Sequence, residues 1–199
     1  MDDVYYLGPE QIEIDVSILQ EMIAHLDDYL ERDRTFMPIK VETPMDTRWP
    51  TISIGAVLSR LARVRAFADR LSDEQRQVVR EVEEALDRVR RWYPERFREH
   101  ALRELSSLTD SWRWFLDDCY EKEQGCAEAY PTEARTRTTM QLIIDYLGED
   151  QVPWELIGKI EAQDHRLRMR FREGDFIWPQ ELASQFPRER YWWLYGKPA

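Results

Sequence analysis

Apolar residues at three- and four-residue steps recur along most of this chain, and this periodicity limits the fold more than any other feature. The longest series lies within residues 95–122 and comprises Phe97, Ala101, Leu105, Leu108, Trp112, Phe115 and Cys119. Such steps place side chains on one face of an α-helix, close to the repeat of a coiled coil. The series predicts a long, nearly straight helix that is packed along its whole length.

Similar stripes predict further helices over residues 9–32, 51–71, 72–93, 131–147 and 153–161, with a last short one over residues 179–187. Ser72 and Gln75 are spaced as a capping box, which places the start of the third helix at Ser72. Because each stripe alone would expose an apolar seam to water, the helices must bury one another. We therefore predict a mainly α fold, a single-domain bundle of five to six helices over residues 1–199 with a small C-terminal β-hairpin.

Three segments depart from the helical period. Residues 33–50 contain three prolines and predict an extended crossover, because proline interrupts a helix at a cost of ~3 kcal/mol. Residues 166–178 begin with a strict alternation of arginine and apolar residues over 166–172, and a Glu-Gly-Asp turn and a second apolar run follow. This pattern predicts the β-hairpin. Residues 179–199 are rich in aromatic side chains, and we expect this tail to pack on the bundle.

Charge and targeting signals restrict the location and the partners. The 199 residues include 28 basic and 39 acidic ones, for a net charge of -11, so we do not expect a general nucleic-acid binder. Neither a signal peptide nor a run long enough to span a membrane is visible, and two cysteines are too few for a disulfide framework. These observations predict a cytoplasmic, reduced protein without membrane contact, in which Cys119 serves core packing.

Each of the three histidines has a glutamate one helical turn away, which suggests a metal site as one alternative. The pairs are Glu21 with His25, His100 with Glu104, and Glu161 with His165. Residues four apart share a helix face, so each pair could offer two ligands to a divalent metal. The three-residue Glu-x-x-His spacing of di-iron bundles is absent, however. Exposed ion pairs and helix caps are therefore the favoured interpretation of these pairs, and no cofactor is our main expectation.

No catalytic signature is present: the chain lacks a Gly-x-Ser-x-Gly elbow, a Walker loop and a dinucleotide fingerprint. We therefore assign no catalytic residues and favour a non-catalytic interaction or scaffold role. The partner would be another protein or a second copy of this chain. Either the seven-residue seam of the long helix or an Arg- and Trp-rich C-terminal surface would bind it, the latter formed by Arg166, Arg168, Arg170, Arg172, Trp178, Trp192 and Trp193.

The same arginines leave nucleic acid as a second alternative. On a β-ribbon, residues two apart lie ~7 Å apart on one face, near the spacing of successive phosphates. Because the whole chain repels polyanions, pairing with acidic groups of this chain or of a partner protein is favoured over nucleic-acid binding.

Overall fold

The computed structural model describes residues 12–122 and 126–198, and their secondary structure is mainly helical. The α-helices are α1 (Ile12–Ala24), α2 (Leu26–Glu31), α3 (Ile54–Ala66), α4 (Asp73–Trp92), α5 (Pro94–Lys122), α6 (Cys126–Leu147) and α7 (Trp154–Arg168). Within these described ranges, six short strands form three antiparallel pairs. The predicted mainly α class with a small C-terminal strand pair is confirmed. Among the described residues, no helix is both long and apolar enough to cross a membrane.

The chain divides into two compact units, Met1–Glu104 and Leu105–Ala199. The 29-residue helix α5 contributes its first part to one unit and its remainder to the other. The predicted seam of this helix is largely buried: Phe97, Ala101, Leu105 and Trp112 are at most 1% exposed. This part of the seam is therefore core and is not free to bind a partner. The single domain expected over residues 1–199 stays a prediction.

In the first unit, helix α1 packs on α3 and α4 through its apolar stripe. The predicted first helix, residues 9–32, is interrupted at His25, where α1 gives way to α2; residues 9–11 lie outside the described part. The buried carboxylate of Asp15 receives two hydrogen bonds from Arg63, of 2.9 and 2.6 Å, which neutralise its charge inside the core. Helix α4 starts at the predicted capping box, because Ser72 and Gln75 exchange both hydrogen bonds.

The predicted crossover, residues 33–50, contains regular structure that the prolines did not indicate. Strand β1 (Met37–Pro38) pairs with β4 (Thr51–Ile52), and β2 (Val41–Glu42) pairs with β3 (Thr47–Arg48). Between the two strand pairs, the Ile39 amide donates a hydrogen bond to the Pro50 carbonyl. Pro50 only accepts in this bond, so the amide donor that proline lacks is not needed there. The buried side chains of Ile39 and Val41 anchor this segment.

The second unit is built around helix α6 and the C-terminal tail. Strand β5 (Phe171–Glu173) pairs with β6 (Gly196–Pro198), the last described residues. The predicted hairpin over residues 166–178 therefore has different bounds: its first residues belong to α7, and its partner strand comes from the tail. Gly196 has a φ of +147°, and a Cβ there would lie 2.2 Å from the Arg172 carbonyl oxygen, so β6 can approach β5 only with glycine.

Two buried aromatic residues, one in the tail and one in α6, donate hydrogen bonds that connect the tail to α6. The Trp193 indole donates to Thr138 Oγ1 at 3.0 Å, and the Tyr130 hydroxyl donates to the Trp193 carbonyl at 2.7 Å. The Arg137 guanidinium lies 3.9 Å from the Trp193 ring and makes two 2.8 Å hydrogen bonds to Asp164 of α7. One buried arginine thus connects α6, α7 and the tail.

Replacing Arg137 by methionine should lower the free energy of unfolding by about 3 kcal/mol, because the half-buried Asp164 carboxylate loses its partner. Urea unfolding followed by circular dichroism measures the change. Arg113→Met is the matched control, since its exposed pair with Asp110, at 3.8 Å, should contribute less than about 1 kcal/mol. Equal stability of both variants would contradict this role of Arg137.

Candidate interaction surface

The three histidines occupy different environments and form no metal centre. His25 precedes α2 with its Nε2 4.0 Å from Glu21, and both side chains are more than two-fifths exposed. His165 and Glu161 are exposed on α7, whereas His100 is buried on α5. Across residues 12–122 and 126–198, no group of three histidine, cysteine, aspartate or glutamate side chains could hold a metal ion. The structure therefore offers no support for the metal-site alternative.

His100 and Glu104 do share one helix face, as predicted, but that face is buried and each side chain is 2% exposed. Glu104 accepts hydrogen bonds from the Ser53 hydroxyl at 2.6 Å and from the Gly55 amide at 2.8 Å. Ser53 is the N-cap of α3, so Glu104 satisfies amide and hydroxyl donors at that helix start. The pair is thus part of the packing of the first unit rather than an exposed ion pair.

Burial sets the protonation of this cluster. It raises the pKa of Glu104 to about 7, although the donors at Gly55 and Ser53 oppose the rise. It also lowers the pKa of His100, with help from the nearby charge of Arg103, so the imidazole is neutral at pH 7. The His100 ring contacts the buried Tyr29 ring edge-on at 4.7 Å. His100 and Glu104 thus act within the packed core of the first unit, with almost no contact with solvent.

The predicted Arg- and Trp-rich surface is only partly exposed. Trp178 and Trp193 are buried, at 8% and 1% exposure, and their indole N–H groups bind the Pro131 carbonyl and Thr138. They belong to the core, contrary to the prediction, because a buried indole with a satisfied donor is more stable than an exposed one. Trp192 is half-buried and remains accessible.

The four arginines do not form the predicted β-ribbon. Arg166 and Arg168 lie in the last turn of α7, Arg170 follows the helix, and Arg172 lies in β5. Helix continues here because Ile160, Gln163 and Leu167 supply a buried face at helical spacing, while the arginines on either side of Leu167 remain outside it. The ladder of guanidinium groups at phosphate spacing, on which the nucleic-acid alternative rested, is therefore absent.

Aromatic rings hold three of these guanidinium groups in place. Arg166 and Arg170 lie over the Tyr120 ring with their Cζ atoms 4.4 and 4.6 Å from its centre. Arg168 lies 3.7 Å from the Trp192 ring centre. The Tyr120 hydroxyl donates to the Arg166 carbonyl at 2.5 Å, which fixes the ring against the end of α7. Such contacts are worth about 0.5–2 kcal/mol each and restrict the arginine rotamers.

An open groove of about 640 Å³ runs beside these side chains. Tyr120, Met169, Arg170, Phe171 and Arg172 line it, together with both cysteines, Ala127 and Pro198. The apolar side chain of Met169 is 74% exposed. We call the surface formed by Tyr120, Arg168, Met169, Arg170, Phe171 and Arg172 the basic groove. This surface therefore presents positively charged side chains and accessible apolar side chains next to each other.

The arginines of the basic groove lack acidic partners among the described residues. Arg166, at its edge, forms an ion pair with Asp117. By contrast, no carboxylate in the described part of the chain pairs with Arg168, Arg170 or Arg172, and all three are exposed. Arg168 and Arg170 are held on aromatic rings, and no described carboxylate neutralises any of the three arginines. A carboxylate from elsewhere could therefore form charge-assisted hydrogen bonds with them.

The two cysteines are joined in a disulfide, with their Cα atoms 5.0 Å apart. The expectation of reduced cysteines and of a purely packing role for Cys119 is therefore wrong. Cys119 lies in the last turn of α5 and Cys126 is the first residue of α6, so the two helix ends meet there. A signal was present in the sequence: the cysteines are only seven residues apart, and Gln124 and Gly125 lie between them.

Tyr120, Met169 and Phe171 belong to the basic groove but not to the surface predicted from the sequence. Tyr120 follows the last residue of the apolar seam, and nothing in its neighbourhood along the chain indicates that arginines fifty residues later will stack on it. No protein-family model matches this chain, and comparisons with curated proteins and with solved structures also gave no match.

The elevated pKa of Glu104 predicts a particular dependence of stability on pH. Its folded-state pKa, about 7, exceeds the usual value of 4.5, so its protonated form stabilises the folded chain. That contribution is complete below pH 4.5 and is lost as the pH rises through 7. Relative to Glu104→Gln, the unfolding free energy of the wild type should fall by about 3 kcal/mol across this range.

Urea unfolding of both proteins at several pH values tests this expectation. Comparing the two chains removes the contributions of His100 and of other groups that titrate in both. Parallel pH profiles for wild type and variant would show that Glu104 keeps an ordinary pKa in the folded chain.

Proposed function

We propose that this chain is a non-catalytic protein-binding module and that its basic groove binds an acidic segment of another protein. The observation that carries the proposal is the set of Arg168, Arg170 and Arg172, which are exposed and have no carboxylate partner among the described residues. Arg168 and Arg170 are held on Trp192 and Tyr120. Because these side chains are already ordered in the free chain, binding a partner costs less conformational entropy.

The chemistry of the groove favours binding over catalysis. Its lining offers guanidinium groups, aromatic rings and the Met169 thioether, while its two cysteine sulfurs are joined to each other. General acid–base or nucleophilic catalysis needs a titrating group beside the substrate, and the described residues that line the groove include no histidine or carboxylate. Arginine, methionine and aromatic residues are instead the types enriched in the centres of protein interfaces.

The composition of the groove also indicates the partner. Carboxylates on an extended or helical segment would pair with the arginines, and an apolar side chain would cover Met169 and Phe171. A polyanion such as nucleic acid offers the charge, but the arginines are not spaced in one row and the chain carries a net charge of -11. An acidic protein segment, which presents few charges at fixed positions, therefore fits better.

A second copy of this chain is the other source of such a segment, because acidic residues outnumber basic ones by 39 to 28. We propose a different protein as the partner, and self-association is one outcome of the test. The cytoplasmic location and the absence of a cofactor, both expected from the sequence, stay predictions.

A fluorescein-labelled peptide rich in glutamate and aspartate, with interspersed leucines, serves as the probe. The wild-type chain should raise its fluorescence polarisation in a salt-sensitive manner, because charge pairing contributes to binding. Arg168→Glu combined with Arg170→Glu should weaken the affinity about tenfold or more. Arg113→Glu is the control, since Arg113 is also exposed and near a tryptophan ring but already has Asp110 as its partner.

Two further probes separate the alternatives. A peptide with amides in place of the carboxylates should bind weakly, and a labelled oligothymidylate should bind no better than that neutral peptide. If the oligothymidylate bound more tightly than the acidic peptide, the partner would be a nucleic acid and not a protein. An arginine-dependent dimer in analytical ultracentrifugation would make the partner a second copy, and failure of every probe to bind would overturn the proposal.

A further inference from the structure

The geometry points to the Cys119–Cys126 disulfide as a redox switch that controls the basic groove. This inference rests on the proposed function, because it concerns regulation of the same surface. Both cysteines line the groove, and their bond joins the end of α5 to the start of α6. The disulfide is therefore part of the wall of the proposed binding site rather than a remote staple.

Tyr120 transmits the state of the disulfide to the arginines. It follows Cys119 directly in the last turn of α5, where helix ends tend to fray. Its ring supports Arg170 at 4.6 Å, and its hydroxyl binds the carbonyl of Arg166 at 2.5 Å. While the bond to Cys126 is closed, the last turn of α5 cannot move away from α6. The Tyr120 ring then stays in contact with the guanidinium group of Arg170.

Both cysteines are half-buried, and they line an open groove, so a dithiol reductant can reach the bond. A thiolate of the reductant attacks one cysteine sulfur, and the sulfur–sulfur bond breaks to give a mixed disulfide and one cysteine thiolate. The second thiol of the reductant then displaces the other cysteine and becomes oxidised. Two electrons pass to the protein, and the two cysteine sulfurs take up two protons.

Reduction releases the last turn of α5 from α6 and removes a covalent limit on the motion of Tyr120. Arg170 then loses its fixed ring, and ordering it on a partner costs more conformational entropy. The groove also loses the closed disulfide as a part of its wall. We expect the reduced chain to bind the acidic peptide about fivefold more weakly than the oxidised chain, within the usual range of coupling between two sites.

The experiment measures peptide binding by three full-length proteins: the oxidised wild type, the wild type reduced with dithiothreitol, and Cys119→Ser combined with Cys126→Ser. Thiol titration verifies the redox state, and circular dichroism verifies that the reduced chain and the variant remain folded. The reduced wild type and the variant should both bind weakly. Reoxidation should restore the wild type only, and the variant should not respond to dithiothreitol.

Hydrogen exchange, measured without peptide, provides a second readout. Reduction should speed amide exchange in residues 117–121 and 166–172 while leaving the first unit unchanged. Equal affinities of the oxidised and reduced wild type would overturn the switch and leave the binding module intact. If no form of the protein binds the peptide, the proposed function fails. If reduction also left amide exchange in residues 117–121 and 166–172 unchanged, coupling between the disulfide and the groove would be excluded as well.

Discussion

Burial of the apolar stripes also takes charged side chains out of water, and the fold depends on how those charges are compensated. The Asp15 carboxylate is paired with Arg63, and Arg137 is paired with Asp164. Glu104 is compensated differently: it accepts donors at the start of α3, and burial favours its neutral form. An unpaired ion in any of these places would cost several kcal/mol, so these contacts fix how the helices pack within each unit.

Arginine performs two different tasks in this chain, and its planar guanidinium suits both. Inside the second unit, Arg137 binds a carboxylate through its edge and the Trp193 ring through its face. At the basic groove, Arg168 and Arg170 use the face, on Trp192 and Tyr120, and their edges bind no side chain in the described part of the chain. The edges, which carry the hydrogen-bond donors, therefore remain available. This difference between the interior and the surface is the physical basis of the proposed binding site.

The sequence predicted the fold class because apolar spacing is a local property. The capping box at Ser72 and the end of the helix predicted over residues 131–147 are local features as well, and Gly148, directly after α6, has a φ of +92°. The strand pair was misplaced because β5 pairs with β6, twenty-odd residues away, and alternation along one segment does not identify the partner strand. Arg166 and Arg168 were placed on a strand because alternation outweighed the helical spacing of Ile160, Gln163 and Leu167.

The surface was harder to predict than the fold for a related reason. Whether a tryptophan serves the core or an interface depends on which neighbours cover it, so Trp178 and Trp192 look alike in sequence but differ in exposure. Likewise, a lone tyrosine becomes a support for two arginines only when α5 and α7 lie side by side within the second unit.

Two cysteines on either side of a helix break carry more information, because a short connection limits how far apart they can lie. That local constraint places a covalent bond beside Tyr120, the half-buried ring that holds Arg170. The chemistry of the bond and the order of the binding surface are therefore connected through a single helical turn.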